Sequence, residues 1–328
     1  MTLDPGFEPG FEPRFDPGPV RVRVPASSAN LGPGFDAFGL ALGCYDEVVA
    51  RVRPGGLRVE VAGEGAATVR RSEDHLVVRA MRATFAALGG QPEGLEVRCT
   101  NRIPHSRGLG SSASAICAGV VAARALAARG ADLDDDALLA LATRLEGHPD
   151  NVAACLRGGL TLAWTEPRGP RALRLEPSPD VVPVACVPAA RASTAEARGL
   201  LPAQVPHEAA AANAGRAALL VEALTRRPQL LLAATEDSLH QPYRLAAMPD
   251  TGALLAKLRD AGLPAVLSGA GPTVLVLCRP SCPDVVKELA GAGWRVWILR
   301  VATLGAVVVG EEENPAGGSM DSGVPGDA

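Results

Sequence analysis

Apolar and charged residues alternate from Val20 to Val24 with the period of a half-buried strand, and Glu47 to Arg53, Leu57 to Val61 and Leu95 to Thr100 read the same way. The period then lengthens. Ile116, Val120, Ala123 and Ala127 recur at helical spacing within Ser112 to Arg129, as do Leu138, Leu141 and Leu145 within Asp134 to Leu145. Gly159 to Trp164 returns to strand. The proline-rich segment Pro167 to Pro179 predicts a linker, with a boundary near residue 175, and Val181 to Val187 opens a second β-containing unit. Beyond it the pattern predicts helices around Glu208 to Thr225, Leu230 to Ser238 and Thr251 to Asp260. A strand pair about the Gly269 turn, a helix at Pro283 to Ala290 and a strand at Trp294 to Val301 complete the chain. That ordering is α+β.

The ends of the chain behave differently. Residues 1–18 repeat Gly6-Phe-Glu-Pro as Gly10-Phe-Glu-Pro and then Arg14-Phe-Asp-Pro, and residues 311–328 are acidic and rich in Gly, Pro and Ser. Both are expected to be disordered tails. Between them, residues 19–175 and 176–310 make two domains, the number that 328 residues favour at roughly 150 per domain. With 47% hydrophobic and 21% charged residues, a disordered or fibrous protein is excluded. A net charge of -4 leaves no global basic field, which argues against nucleic acid or an anionic membrane as the main partner. The uncharged run Ala261 to Cys278 is broken by Gly262, Pro264, Gly269, Gly271 and Pro272, so it reads as strand, tight turn, strand rather than a membrane span. Asp4, Glu8 and Glu12 stand where an export signal needs a basic start, and the seven cysteines are odd in number, scattered and without a CxxC pair. The expectation is a cytoplasmic protein with reduced, mostly buried thiols.

Three stretches carry candidate chemistry. Pro104-His-Ser-Arg-Gly-Leu-Gly-Ser-Ser-Ala-Ser114 is a glycine and serine loop running directly into a helix. Glycines let the backbone approach a polyphosphate, the first helical N–H groups are free to donate, and the helix dipole favours an anion. The alternatives are a helix merely capped by serine and a loose G-x-G-x-x-A dinucleotide fingerprint, but that fingerprint must follow a strand at once and Ile103-Pro-His-Ser-Arg intervenes. The only lysines are Lys257 and Lys287, so a Walker A loop and a protein-kinase lysine strand are both excluded. In the second stretch, Pro25 to Gly39, Asn30 and Asp36 bracket a Gly-Pro-Gly turn, and an ionised Asp36 could hold an ammonium group. The same two side chains could instead bond only their own backbone. In the third, Leu145-Glu-Gly-His-Pro-Asp-Asn-Val152, Glu146 suits a metal, and His148 and Asn151 can donate to a hydroxyl or phosphate, while Asp150 could cap the next helix. His75, His105 and His207 show no partner pattern.

These stretches, together with Ser193-Thr-Ala-Glu-Ala-Arg198, His240-Gln-Pro-Tyr-Arg244 and Leu267-Ser-Gly-Ala-Gly-Pro-Thr273, resemble the motifs of the GHMP kinases, and most closely its homoserine kinase branch, in their usual order. The resemblance implies a ribosomal S5-type N-terminal domain that binds ATP and a ferredoxin-like C-terminal domain, with the active site between them. It implies transfer of the ATP γ-phosphoryl group to the side-chain hydroxyl of L-homoserine in threonine biosynthesis, with magnesium as cofactor. By the same resemblance, the loop Pro104, His105, Ser106, Arg107, Gly108, Leu109, Gly110, Ser111, Ser112, Ala113 and Ser114 binds ATP. Ser112 and Glu146 hold the metal, Arg198 and Arg244 take the substrate carboxylate, Asp36 its ammonium and Asn151 its hydroxyl. Asn30, His148 and Thr194 contribute to the same pocket, and His75 to Arg79 approach the adenine. The branch is thought to work without a dedicated base. A mevalonate-like alcohol would give Asp36 no purpose, a relative without catalysis would not need Ser112 and Glu146 together, and a homodimer is left open.

Overall fold

The computed structural model describes residues 15–310. Seven strands form one sheet: β1 (Val20–Ala29), β2 (Phe38–Arg53), β3 (Gly56–Gly63), β4 (Gly94–Asn101), β5 (Leu160–Glu166), β6 (Gly169–Leu175) and β11 (Val307–Val309). The second sheet runs β10 (Trp294–Ile298), β7 (Val182–Pro188), β9 (Val274–Cys278), β8 (Ala265–Leu267), all antiparallel. The first sheet is covered by α1 (Leu76–Ala87), α2 (Ser111–Leu126), α3 (Asp135–Glu146) and α4 (Pro149–Arg157). The second carries α5 (Thr194–Gly199), α6 (His207–Thr225), α7 (Leu231–Ala234), α8 (Gln241–Leu245), α9 (Pro249–Asp260) and α10 (Pro283–Ala290). The α+β organisation read from the pattern is the one observed.

One irregularity shapes the site end of the first sheet. The β1–β2 register shifts between Pro25 and Ala26, where proline cannot donate to the ladder. On either side of the shift β2 takes different neighbours: Glu47 to Arg53 pair with β4, whereas Phe38 to Leu40 pair with β5. The far half of β1, Ala26 to Ala29, is thereby carried past the main ladder toward the second sheet. Burial there is complete, and it includes Ser27 and Ser28. A shared core of Ala26, Leu31, Phe38, Leu40, Ile103 and Leu109 from the first layer, with Val187, Leu220, Leu224, Val266 and Leu275 from the second, joins the two sheets. Burying such side chains contributes roughly 1.5–3 kcal/mol each, so the lobes are packed as one body around the site.

Several expectations change. The segment Pro167 to Pro179 is not a bare linker: β6 forms a hairpin with β5 in register from Leu160↔Leu175 to Glu166↔Gly169. Pro170 is tolerated because β6 has a neighbour on one side only. The helix expected over Leu230 to Ser238 shortens to α7, and the last expected strand stops at Ile298. Past β10 the chain crosses back, Gly43 N donating to Arg300 O at 2.8 Å and Ala302 N to Ala41 O at 3.0 Å, before β11 pairs with β1. Not all cysteines are free thiols: Cys278, ending β9, is disulfide-bonded to Cys282, because the intervening turn brings their Cα atoms to 5.8 Å. Of the tail expected over residues 1–18, Phe15 packs edge-on against Phe85 and Asp16 N donates to Leu126 O. Residues 1–14 and 311–328 lie outside the described residues. No helix among the described residues is long and apolar enough to cross a membrane.

Candidate active site

The loop between β4 and α2 is held from three sides. Its entrance hangs on Asp46, whose Oδ1 accepts from Arg102 N at 2.6 Å and Ile103 N at 2.9 Å; burial pushes this carboxyl up to about 6. Arg107 is spent as a tether, donating to the carbonyls of Pro188, His105 and Ala189. Gly108 presses on the β8–β9 turn, where a Cβ would stand 2.2 Å from Ser268 O, and Ser268 Oγ donates to Gly108 O at 2.6 Å. Pro104, Leu109, Ala113 and Ser114 are buried and leave only backbone to a ligand, whereas His105, Ser106, Ser111 and Ser112 retain access to solvent. His105 lies beside the buried His75, and burial lowers the pKa of both.

The helix that follows begins without a cap. Gly110 occupies the N-cap position at φ 68°, no side chain bonds the first turn, and no acidic residue lies within it. The serine-capped alternative is therefore not what the chain does. Since the first N–H groups of a helix have no intrahelical partner, this 16-residue helix points an unsatisfied positive pole out of the loop. A side chain at Gly110 would meet Ser27 Oγ at 2.0 Å, which is why only glycine fits.

Beside that pole, Ser112 Oγ donates to Glu146 Oε2 at 2.6 Å. Burial raises the Glu146 pKa, and the Ser112 bond opposes the shift. One hydroxyl and one carboxylate are hard oxygen donors of the kind a magnesium ion takes, and no cluster of three or more His, Cys, Asp or Glu able to hold a metal exists among the described residues. The pair fits magnesium only if a ligand supplies further oxygens, as phosphates do.

Glu146 ends α3, Gly147 turns, and α4 starts at Pro149 with His148 at its N-cap. Asp150 is thus one position inside α4 rather than its cap. Its Oδ1 accepts from Asn151 N at 2.6 Å and lies 2.7 Å from His148 Nδ1, a bond that raises the His148 pKa. Asn151 Oδ1 accepts from Ser27 Oγ at 2.8 Å. With its oxygen engaged and one Nδ2 hydrogen directed at Asp150 Oδ1 at 3.4 Å, Asn151 has one amide N–H left to present, beside the α2 N-terminus.

The second half of the site meets the first at the β8–β9 turn, which Gly108 touches from one side and Asn30 and Arg244 from the other. Asn30 donates Nδ2 to Gly269 O at 2.9 Å and accepts Asp36 N on Oδ1 at 3.0 Å, bracing the β1–β2 turn against the β8–β9 turn. Asp36 pairs with Arg198 of α5 through both oxygens, at 2.6 and 3.0 Å, so it does not bond only its own turn. Thr194 opens α5 one turn before Arg198 and is exposed. Arg244 is 2% exposed; it donates Nε to Ala197 O and Nη1 to Gly269 O, and it forms no ion pair among the described residues.

Four contributors lie outside the motif residues singled out for the site. Ser27 orients Asn151, and Ser28 Oγ donates to Ser268 Oγ at 2.8 Å, whose own proton goes to Gly108 O. Phe35 lies beneath both guanidiniums, 5.2 Å from Arg244 and 5.6 Å from Arg198, and stacks on His240 at 5.3 Å. His240 Nε2 donates to Gly32 O at 2.8 Å, which leaves Nδ1 to accept from Arg244 Nη1, and burial lowers its pKa. Two consecutive serines in the otherwise apolar second half of β1, Pro25 to Ala29, were the available signal for Ser27 and Ser28.

The chain matches two family models, the GHMP kinases N terminal domain over residues 75–159 and the GHMP kinases C terminal over residues 209–290. It is 62% identical over 291 residues to a homoserine kinase of Streptomyces coelicolor, covering 88% of this chain and 94% of that one. It is 50% identical over 303 residues to a homoserine kinase of Clavibacter michiganensis, covering 90% and 96%. Among solved structures, a homoserine kinase from Cytophaga hutchinsonii superposes with a TM-score of 0.79 at 27% identity, covering 88% of this chain and 97% of that one.

Proposed function

The chain belongs to the homoserine kinases of the GHMP kinase family, and from that premise we propose how its residues divide the transfer of the ATP γ-phosphoryl group to the side-chain hydroxyl of L-homoserine. Loop backbone from Gly108 to Ser112 and the uncapped start of α2 receive the phosphates. Ser112 and Glu146 would hold magnesium, which when bound neutralises charge on the phosphate oxygens. Asn151, fixed by Ser27, donates to the substrate hydroxyl. Asp36 receives the ammonium, while Arg198 and Arg244 receive the carboxylate, with His148 and Thr194 at the pocket's edge.

The observation that carries the reading is Arg244. A buried guanidinium with no ion pair among the described residues, on which the carboxylates of Asp36, Asp237 and Asp150 act only at longer range, is costly, so a site that keeps one is built to be completed by an anion. Its Nε and Nη1 are engaged, which leaves the Nη2 hydrogens to donate to a carboxylate. No residue is assigned as a general base. Neither lysine lies in the site, and Asp150 is already bonded to His148 and to Asn151 N. Positioning and charge stabilisation would then carry most of the rate, as phosphoryl transfer allows.

A coupled assay of ADP formation tests this directly. L-Homoserine is expected to drive turnover, and mevalonate, which has a carboxylate but no ammonium, is expected to drive little. Faster turnover with mevalonate would remove the assignment of Asp36.

A further inference from the structure

Resting on the substrate reading above and deepening it, we propose that the Asp36–Arg198 ion pair is a stand-in for the substrate's own two charges. It is exchanged for two new ion pairs only by a ligand that brings both an ammonium and a carboxylate. The pair thereby makes the pocket select zwitterionic alcohols over singly charged ones.

The geometry carries the argument. Arg198 spends Nη1 and Nη2 on the two oxygens of Asp36, at 3.0 and 2.6 Å, so its fork cannot grip a second carboxylate in the same way until Asp36 lets go. Exchange is accessible, because both side chains are 36% exposed, unlike buried Arg244. Phe35, next to Asp36 in the chain, places its ring near both guanidiniums, at 5.6 and 5.2 Å, which keeps Arg198 at the pocket after its partner leaves. A ligand with only a carboxylate would strip Asp36 of its counter-ion. One with only an ammonium would leave Arg198 unpaired beside Arg244, itself without an ion pair among the described residues. A zwitterion leaves Asp36 and Arg198 both satisfied.

The test is calorimetric titration of the full chain with 4-hydroxybutanoate, which carries the carboxylate alone, and with 3-aminopropan-1-ol, which carries the ammonium alone. Asp36 sits at φ 55°, a conformation asparagine adopts readily, so Asp36→Asn keeps the turn. In this variant 4-hydroxybutanoate should bind about two- to fivefold tighter than in the unaltered protein, because no half-exposed pair must be broken, while L-homoserine binds more weakly. Removal of a repelling charge would produce a similar gain, so the control is made in an Arg198→Ala background. There Asp36→Asn should leave 4-hydroxybutanoate binding unchanged. In the mirror arm, Arg198→Ala alone should tighten 3-aminopropan-1-ol by a similar factor. The exchange is overturned if Asp36→Asn fails to tighten 4-hydroxybutanoate, if that ligand shows no binding to the variant, or if the gain persists without Arg198. Absence of homoserine-dependent ADP formation by the unaltered protein would instead remove the substrate reading itself.

Discussion

Under the proposed assignment of residues, the phosphate side and the amino-acid side of the site solve opposite problems with opposite materials. On the phosphate side the ligand is strongly charged and the protein answers with backbone: glycines, an uncapped helix of 16 residues, and one Ser112–Glu146 pair. On the amino-acid side the ligand is zwitterionic and the protein answers with whole charges, Asp36, Arg198 and Arg244, converging on the Phe35 ring from segments far apart in the chain. Backbone donors cannot swing away, so the first half is rigid by construction. Side-chain charges can trade partners, so the second half can discriminate. Rigidity suits a group common to many reactions, and exchange suits the group that makes this reaction specific.

Arg244→Ala should break the comparison most severely, and on one side only. Truncating a buried, hydrogen-bonded cation costs enough to lower kcat/KM for L-homoserine by about 10²–10³-fold. The KM for ATP should hardly move, and steady-state kinetics in both substrates will show whether the loss is confined. A parallel rise in both KM values would mean that the two halves are not separable.

Gly108→Ala should act on the opposite half. Its φ of 75° and the Ser268 carbonyl 2.2 Å from the added Cβ force the loop to shift. Strain of about 1–3 kcal/mol is expected to appear as a roughly tenfold rise in the KM for ATP, with a lower melting temperature and little change in the KM for L-homoserine.

The smallest effect is expected at the seam. Asp150→Asn should retain measurable turnover, reduced by less than about tenfold, since a true general base supplies roughly 10²–10⁴-fold. The same variant removes the main cause of the raised His148 pKa, so the His148 titration followed by NMR should move down. A raised folded-state pKa contributes stability that is complete below the unfolded value of about 6.5 and is lost as pH rises through the folded value. The stability gap between the unaltered protein and the variant should therefore be widest in mild acid and narrow above neutrality. Complete loss of turnover in a folded variant would make Asp150 the base.

Much of the fold was legible because its signals are local. The expected helix at Pro283 to Ala290 coincides with α10, and the alternation at Val20 to Val24 falls inside β1. The hairpin β5–β6 was hidden because prolines that usually mark a linker are harmless on a strand with one free edge. The helix expected after Leu230 stops at Ala234, where Thr235 turns its hydroxyl back onto Leu231 O, and Asp237 then accepts the N–H groups of His240 and Gln241 at the start of α8. At Cys278 and Cys282 the number and scatter of cysteines gave no sign of a bond, since the deciding quantity is the shape of a turn.

For the site, the contrast follows the same line. A glycine-rich loop leading into a helix is written in consecutive residues, so the primary structure alone determined that this chain runs such a loop into a helix N-terminus. Which charges meet across the pocket is a different kind of fact. That Arg198 grips Asp36 while Arg244 has no ion pair among the described residues, and that Ser27 aims Asn151 from 124 residues away, was decided only when the two sheets closed on a shared core. Electrostatic partnership depends on distance and burial, and those exist only in three dimensions.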